Sequence, residues 1–451
     1  MKIHLIAIGG SAMHNMALAL HQSGNIISGS DDEIFEPSRS RLNRHGLLPA
    51  QTGWNPDLIT PDLDAVILGM HARADNPELA KARELGLRIF SYPEYLYECA
   101  RNKQRIVIGG SHGKTTVTGM LLHVLHTLKI ETDFMAGAQL RGFDTMVRIS
   151  DAPRMVLEGD EYLSSPIDRR PKFHLYRPHV AMLTGIAWDH INVFPTFENY
   201  VEQFQIFIQT IESGGTLVYF EGDSHLVKLV AEGRKDLNYI PYHTPKHSIQ
   251  GGVTVIEFEG RSYPLKIFGK HNLQNLEGAR LICARMGVDG ADFMQAICSF
   301  TGADKRLEHL PSTPETVVYK DFAHSPSKLK ATLKAVVEQH PDRKVFAFLE
   351  LHTFSSLNKN FLDQYAHCMD DAFKAVVYYN PETLAHKKLE PLNPAEVQAA
   401  FARTDLLISN HSGNLVDGIL KENWGDKVLL WMTSGNFDGC SIEQLATQIS
   451  A

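Results

Sequence analysis

The sequence predicts an α/β protein built as three successive domains, and three observations carry that prediction. Short β-branched or apolar strands alternate with helical patterns along all 451 residues. Each third of the chain has its own glycine or polar signal directly after a strand, near residues 9, 110 and 321. Breaks at Cys99–Gln104 and Pro311–Pro314 divide the pattern into 1–103, 104–310 and 311–451.

Composition narrows the function classes. Hydrophobic residues make up 43 % and charged residues 21 %, the ordinary balance of a soluble globular chain. With a net charge of −8 and no basic tract, nucleic acid is not an expected partner. The five cysteines (Cys99, Cys283, Cys298, Cys368, Cys440) form no CxxC pair, which argues against a disulfide framework or zinc ribbon and fits a reducing cytoplasm. No apolar run reaches membrane-spanning length. The apolar start Met1–Leu20 superficially resembles a signal peptide, but Gly9-Gly10, His14 and Asn15 interrupt it.

In the first domain, Ile3–Ile8 reads as a buried strand, Ser11–Ser23 as a helix and Asn25–Ser30 as a second strand ending at Asp31-Asp32. Ala65–Leu68 and Arg88–Phe90 are further strands, with a helix over Pro77–Leu85 between them. Ala7-Ile8-Gly9-Gly10-Ser11-Ala12 is a degenerate GxGxxG with alanine at its first and last glycine positions. With Asp31 at a spacing suited to a ribose, it could hold a diphosphate in a Rossmann-like unit; a tight turn without ligand satisfies the same residues.

The second domain opens with the sharpest motif. Ile106–Ile108 leads into Gly109-Gly110-Ser111-His112-Gly113-Lys114-Thr115-Thr116, and an apolar face at Val117, Met120, Leu121, Val124, Leu125 and Leu128 follows. Strand, glycine loop and helix place amides and a helix N-terminus around an anion. Lys114 can reach the outer phosphates of ATP or GTP, and the Thr115 hydroxyl suits Mg²⁺. The strict form GxxxxGK[ST] is not met, because Ile108 stands at its first glycine. Strands are expected at Met155–Glu158 and Val180–Leu183, a helix at Phe197–Ile211, a hairpin across Val253–Ile267, and helices at Asn272–Met286 and Asp289–Phe300.

Four polar segments of this domain are open between chemistry and structure. Glu158-Gly159-Asp160-Glu161 ends a strand and could meet the nucleotide's metal, or be a solvated acidic turn. Asp189-His190 could ligate metal or be a hydrogen-bonded structural pair. Asn272 and Asn275, three apart at a helix start, could read a base edge, or Asn272 could simply cap the helix. Arg306 in Arg306-Leu307-Glu308 could clamp phosphates through its forked donors, or belong to a charged linker.

Strands recur in the third domain at Val317–Lys320, Val345–Leu351, Ala375–Tyr379, Leu406–Ile408 and Val428–Met432, with helices between. Asp321-Phe322-Ala323-His324-Ser325-Pro326 follows the first of them, where open α/β sheets place ligands.

Taken together and in order, these segments resemble the Mur ligase family over nearly the whole chain. The family's G-T-x-G-K-[ST]-[ST] matches Gly110–Thr116, E-A-D-E matches Glu158–Glu161, and its D-H segment matches Asp189-His190. G-x-H-N-x-x-N matches Gly269–Asn275, R-x-E matches Arg306–Glu308, and D-[YF]-[AG]-H-x-P matches Asp321–Pro326. The resemblance implies a Rossmann-like UDP-sugar domain, a central P-loop ATPase-type domain and a Rossmann-like C-terminal domain. It implies an ATP- and Mg²⁺-dependent amide ligase acting on UDP-N-acetylmuramate in the cytoplasm, in peptidoglycan metabolism.

The residue roles it implies follow the motifs. Lys114, Glu158 and His190 are catalytic, and Thr115, Glu158 and His190 hold Mg²⁺. Gly110 to Thr116, Asn272, Asn275, Arg306 and Asp321 bind ATP; Gly9, Gly10, Ser11, Ser30 and Asp31 seat the UDP moiety; His324 and His352 face the incoming peptide. Ile3-His4-Leu5, Gly9-Gly10 and Gly29-Ser30-Asp31 resemble the members that load the first residue onto UDP-N-acetylmuramate. Those members take either L-alanine or the tripeptide L-alanyl-γ-D-glutamyl-meso-diaminopimelate. Glu161-Tyr162 with Asp168–Phe173, Leu349-Glu350, and Met432–Gly439 look like the tripeptide kind. Leu351-His352-Thr353-Phe354-Ser355 looks closer to the alanine kind, though Ser356 stands where that kind has Arg, and Ala187 stands where the family has Glu. Two other classes are weighed against this one. A kinase or motor ATPase would form no amide product, and a nucleotide-gated binding protein would not need Lys114, Thr115, Glu158 and His190 all intact.

Overall fold

The computed structural model describes residues 1–188, 193–303 and 306–450. They fall into two compact units: Met1–Ile186 with Glu198–His243 and Gly278–Ala296, and Ala187–Phe197 with Thr244–Glu277 and Ile297–Ala451.

The first unit contains two sheets. In the first, β1 (Lys2–Ile6), β2 (Ile26–Ser30), β3 (Ala65–Leu68) and β4 (Ile89–Ser91) lie parallel in the order β2-β1-β3-β4. Leu5, Ile6, Val66, Ile67 and Leu68 are fully buried, as continuous apolar runs are when both faces of a parallel sheet are covered. The order reverses direction at β1, so the turn after β1 sits at the switch point where such sheets bind ligands.

The second sheet comprises β5 (Gln104–Gly109), β6 (Asp133–Met135), β7 (Val147–Arg148), β8 (Arg154–Glu158), β9 (Val180–Leu183), β10 (Thr216–Phe220) and β11 (Asn238–Tyr242). Their order is β11-β10-β9-β5-β8-β6-β7, parallel except for β7 against β6. β5 is flanked by β8 and β9, with Ile108 beside Glu158 and Gly109 beside Leu183. The glycine loop after β5 therefore leaves the sheet between the acidic segment and the Thr184 segment.

The second unit holds an antiparallel sheet of β12 (His247–Gln250), β13 (Val253–Phe258) and β14 (Arg261–Leu265). Its larger sheet is made of β15 (Glu308–His309), β16 (Thr316–Asp321), β17 (Lys344–Leu351), β18 (Lys374–Tyr379), β19 (Leu407–Ser409) and β20 (Lys427–Met432). The order is β15-β16-β20-β17-β18-β19, parallel apart from β15. Asp321, Met432 and Leu349 stand side by side across it, so the segments after β16, β20 and β17 gather at one end. Apolar clusters cover both faces, one around Leu329, Leu349 and Leu430, the other around Phe348, Trp431 and Phe437.

The expected strands and helices appear within one to three residues of their sequence bounds, the largest difference being the helix expected over Asp289–Phe300, which ends at Ile297. The strands beyond expectation are mostly short or atypical: β7 and β15 have two residues each, β12 is fully exposed, and β11 carries Pro241, which an edge strand tolerates. Among the described residues, no helix is long and apolar enough to cross a membrane.

Candidate active site

The glycine loop is shaped by sterics. Gly110 has φ +121°, and a Cβ there would stand 2.1 Å from Thr184 Oγ1. Gly113 (φ +81°) caps the helix Lys114–Thr127 in the left-handed region. Thr184 Oγ1 donates to the His112 carbonyl, and the Ser111 amide donates to Gly185 O at 3.0 Å. The segment after β9 thus braces the loop, and His112 and Thr116 ride on that frame.

Two pairs of side chains meet behind the loop. Lys114 Nζ donates to Gly110 O at 2.8 Å and to Glu161 Oε2 at 2.5 Å. Tyr200 joins Glu161 to the loop: its hydroxyl donates to Glu161 Oε1 at 3.0 Å and lies 2.9 Å from Ser111 Oγ. Burial opposes the charge on Lys114, but Glu161 and Asp160 outweigh it and hold the ammonium's pKa above its ordinary value. Thr115 Oγ1 donates to Glu158 Oε1 at 2.8 Å, and the Gly137 amide donates to Glu158 Oε2 at 2.8 Å. Burial raises the Glu158 carboxyl above its ordinary value, and those two donors only partly offset it. A buried carboxylate that lacks a full counter-charge is a place for a cation. Its oxygens, with the Thr115 hydroxyl, are the hard donors that Mg²⁺ takes.

Asp189 and His190 lie outside the described residues. Among the described residues, no group of three or more His, Cys, Asp or Glu is arranged to hold a metal ion.

The turn after β1 is equally constrained. Ala7 has φ +66°, the left-handed conformation that glycine usually supplies. The Gly9 amide donates to Asp31 Oδ2 at 2.7 Å, and a Cβ on Gly9 would stand 2.8 Å from Ile34. Burial pushes the Asp31 carboxyl up to about 6. Gly10 precedes the helix Ser11–Gln22, whose first residue, Ser11, is exposed. Ser30 turns inward: its hydroxyl donates to the fully buried Glu78, which also receives His4 and the Asn55 amide. The same helix reaches the loop that carries Gly137, since Asn15 Oδ1 accepts the Met146 amide at 2.9 Å.

In the second unit, Asp321 is 8 % exposed and its oxygens are engaged: Oδ1 accepts the Leu307 and Phe322 amides, and Oδ2 accepts the Thr332 hydroxyl. Asp321 therefore fixes Leu307, next to Arg306, whose guanidinium lies 4.6 Å from the Phe322 ring centre. His324 Nδ1 lies 2.8 Å from Phe322 O. His352 Nδ1 lies 3.6 Å from Glu350 Oε1, and buried Glu350 accepts the Thr433 hydroxyl and the Phe437 amide. Asn272 does not cap its helix. The helix Lys270–Arg285 begins two residues earlier, and Asn272 Nδ2 donates to Phe268 O at 2.9 Å. Asn275 follows one turn on, buried.

Three side chains of this arrangement escape sequence reasoning. Tyr200 reads as one more apolar-face residue of its helix. Glu78 reads as a solvated first-turn acid. Asn15 reads as a break in an apolar run, with no sign of its long-range partner.

The chain matches known families and structures. The model of the Mur ligase middle domain matches residues 108–283, and that of the Mur ligase family catalytic domain matches residues 2–104. The UDP-N-acetylmuramate–L-alanyl-γ-D-glutamyl-meso-2,6-diaminoheptandioate ligase of Haemophilus influenzae is 27 % identical over 449 residues, covering 97 % of each chain. The UDP-N-acetylmuramate–L-alanine ligase of Lactococcus lactis subsp. lactis is 27 % identical over 466 residues, covering 99 % of this chain and 98 % of its own. The crystal structure of a murein peptide ligase from Psychrobacter arcticus shares the fold with a TM-score of 0.66 at 22 % identity, over 100 % of this chain and 99 % of that one.

Proposed function

The chain belongs to the Mur ligase family of ATP-dependent acid–amino-acid or peptide ligases, and from that premise we propose that it joins UDP-N-acetylmuramate to L-alanyl-γ-D-glutamyl-meso-diaminopimelate in peptidoglycan recycling in the cytoplasm. The observation that carries the reading is the pairing behind the glycine loop, Lys114 with Glu161 and Thr115 with Glu158. It supplies a cation for phosphate oxygens next to a carboxylate and hydroxyl for a metal. The domains we assign are 1–103 for the UDP-sugar, 104–310 for ATP and 311–451 for the acceptor.

In this reaction the muramoyl carboxylate attacks the γ-phosphorus of ATP, giving an acyl phosphate and ADP. The acceptor amine attacks the acyl carbon, and inorganic phosphate leaves with the electron pair of the broken C–O bond. Positioning and charge neutralisation dominate such chemistry. Lys114 and the loop amides neutralise the β- and γ-phosphates. Thr115, Glu158 and His190 would hold Mg²⁺, which would supply further positive charge to the reacting groups. Glu161 keeps Lys114 charged and directed at the loop. Gly9, Gly10, Ser11, Ser30 and Asp31 seat the UDP moiety, with Ser30 shaping the turn through its carbonyl, which accepts the Ala7 and Ile8 amides, while Glu78 retains its hydroxyl. Asn272 and Asn275 face adenine, Arg306 and Asp321 serve the nucleotide, and His324 and His352 meet the acceptor.

A second reading, with L-alanine as acceptor, is favoured by the segment Leu351–Ser355. Phosphate release with ATP, Mg²⁺ and UDP-N-acetylmuramate, comparing the two acceptors, decides between them. Turnover with the tripeptide alone supports the first reading, turnover with L-alanine moves the chain to the second, and silence with both overturns each.

A further inference from the structure

The larger sheet of the second unit carries a cavity that the ligase reaction does not use. It has a volume of about 370 Å³, within the range of small-molecule sites. Lys374 and Leu407 begin β18 and β19, and Glu422 and Trp424 precede β20, so the cavity sits toward the strand N-termini. The segments after β16, β17 and β20, where His324 and His352 lie, are at the other end.

Its floor is apolar: Phe346, Phe348, Ile419 and Trp424 are all at most 6 % exposed. Its mouth is cationic. Glu422 takes Lys427 at 2.6 Å, leaving Lys374 at 4.0 Å from the same carboxylate with its side chain 43 % exposed. Two lysines against one glutamate leave a net positive charge, and both ammonium groups stand within 5.6 Å of the Phe346 ring centre.

A separate observation points to an occupant. Gly418 lines the cavity in the interior of the helix Ser412–Lys421, where glycine weakens a helix relative to alanine. Its φ is not left-handed, and a Cβ there would meet nothing within 4 Å. Among the described residues no atom crowds that position, so the glycine leaves room for an occupant to lie close against the helix.

We infer that this cavity binds a small amphipathic anion, with an aromatic or aliphatic body over Phe346, Phe348 and Trp424 and a carboxylate, sulfonate or phosphate at Lys374. The site stands independently of the ligase reading.

The test uses the whole chain and two fluorescent probes with the same ring body. One is 8-anilinonaphthalene-1-sulfonate; the other is N-phenyl-1-naphthylamine, which lacks the sulfonate. The sulfonate probe binds saturably, one per chain, and Gly418→Leu weakens it at least about tenfold by filling the cavity. Lys374→Gln weakens the sulfonate probe at least about fivefold and the neutral probe less than about twofold. If Gly418→Leu lowers the melting temperature, Leu407→Glu decides instead. It alters an exposed rim residue, 49 % exposed, and sets a carboxylate at the mouth, so the sulfonate probe is lost. Absence of saturable binding, wild-type affinity in the variant that decides, or equal effects of Lys374→Gln on both probes overturns the inference.

Discussion

Lys114 rests on two oxygens, Gly110 O and Glu161 Oε2. Its removal has two separable effects. Glu161, 1 % exposed, loses its counter-charge, which costs on the order of 3 kcal/mol by analogy with other broken buried pairs, somewhat less here because Tyr200 still donates to it. Under the proposed reaction the γ-phosphate would also lose its charge partner, so Lys114→Ala is expected to lower kcat by about 10³-fold while UDP-sugar affinity changes little. Steady-state kinetics and calorimetry with the UDP-sugar check this, and full turnover would remove Lys114 from the site. His190→Ala is expected to lose rate rather than UDP-sugar affinity; an unchanged rate at saturating Mg²⁺ takes His190 out of the metal site. Asp31 gives a pH prediction. Its folded pKa, about 6, lies above the ordinary carboxylate value, so between about pH 4 and 6 the folded chain holds a proton the unfolded chain has released. Stability therefore falls as pH rises through that window, and Asp31→Asn lacks this fall because it keeps an acceptor for the Gly9 amide. Melting temperatures of both chains from pH 4 to 7 test it; parallel curves contradict it.

Elements were legible in proportion to how their local pattern matched their burial. The parallel strands β1, β3, β5, β8, β9, β17 and β20 read directly, because strands covered on both faces are unbroken apolar runs. Exposed β12 and the two-residue β7 and β15 carry no such period. The strand–loop–helix around Gly110 was also legible, since its glycines answer a local steric demand. Gly110→Ala tests that element: with φ +121° and a Cβ 2.1 Å from Thr184 Oγ1, it is expected to dislodge the loop and abolish ATP binding. Retained affinity, measured by titration of a fluorescent ATP analogue, would show that the loop tolerates the change.

On the scale of the molecule, the order of motifs along the chain carried the family, and three-dimensional pairing carried what order could not. Lys114 and Glu161 are 47 residues apart, Ser111 and Tyr200 are 89 apart, and Ser30 and Glu78 are 48 apart. No periodicity spans such separations, so these pairings, and with them the partners Tyr200 and Glu78, had no signal in one sequence. The central claim is that ATP is spent in activating the muramoyl carboxylate. It is tested most directly by supplying UDP-N-acetylmuramate with ¹⁸O in both carboxylate oxygens, together with ATP, Mg²⁺ and the acceptor, and weighing the released phosphate. The account predicts one ¹⁸O in every phosphate, carried over when the acyl phosphate is opened by the amine. Phosphate free of ¹⁸O would mean that water, not the muramoyl carboxylate, attacks ATP, and would contradict it.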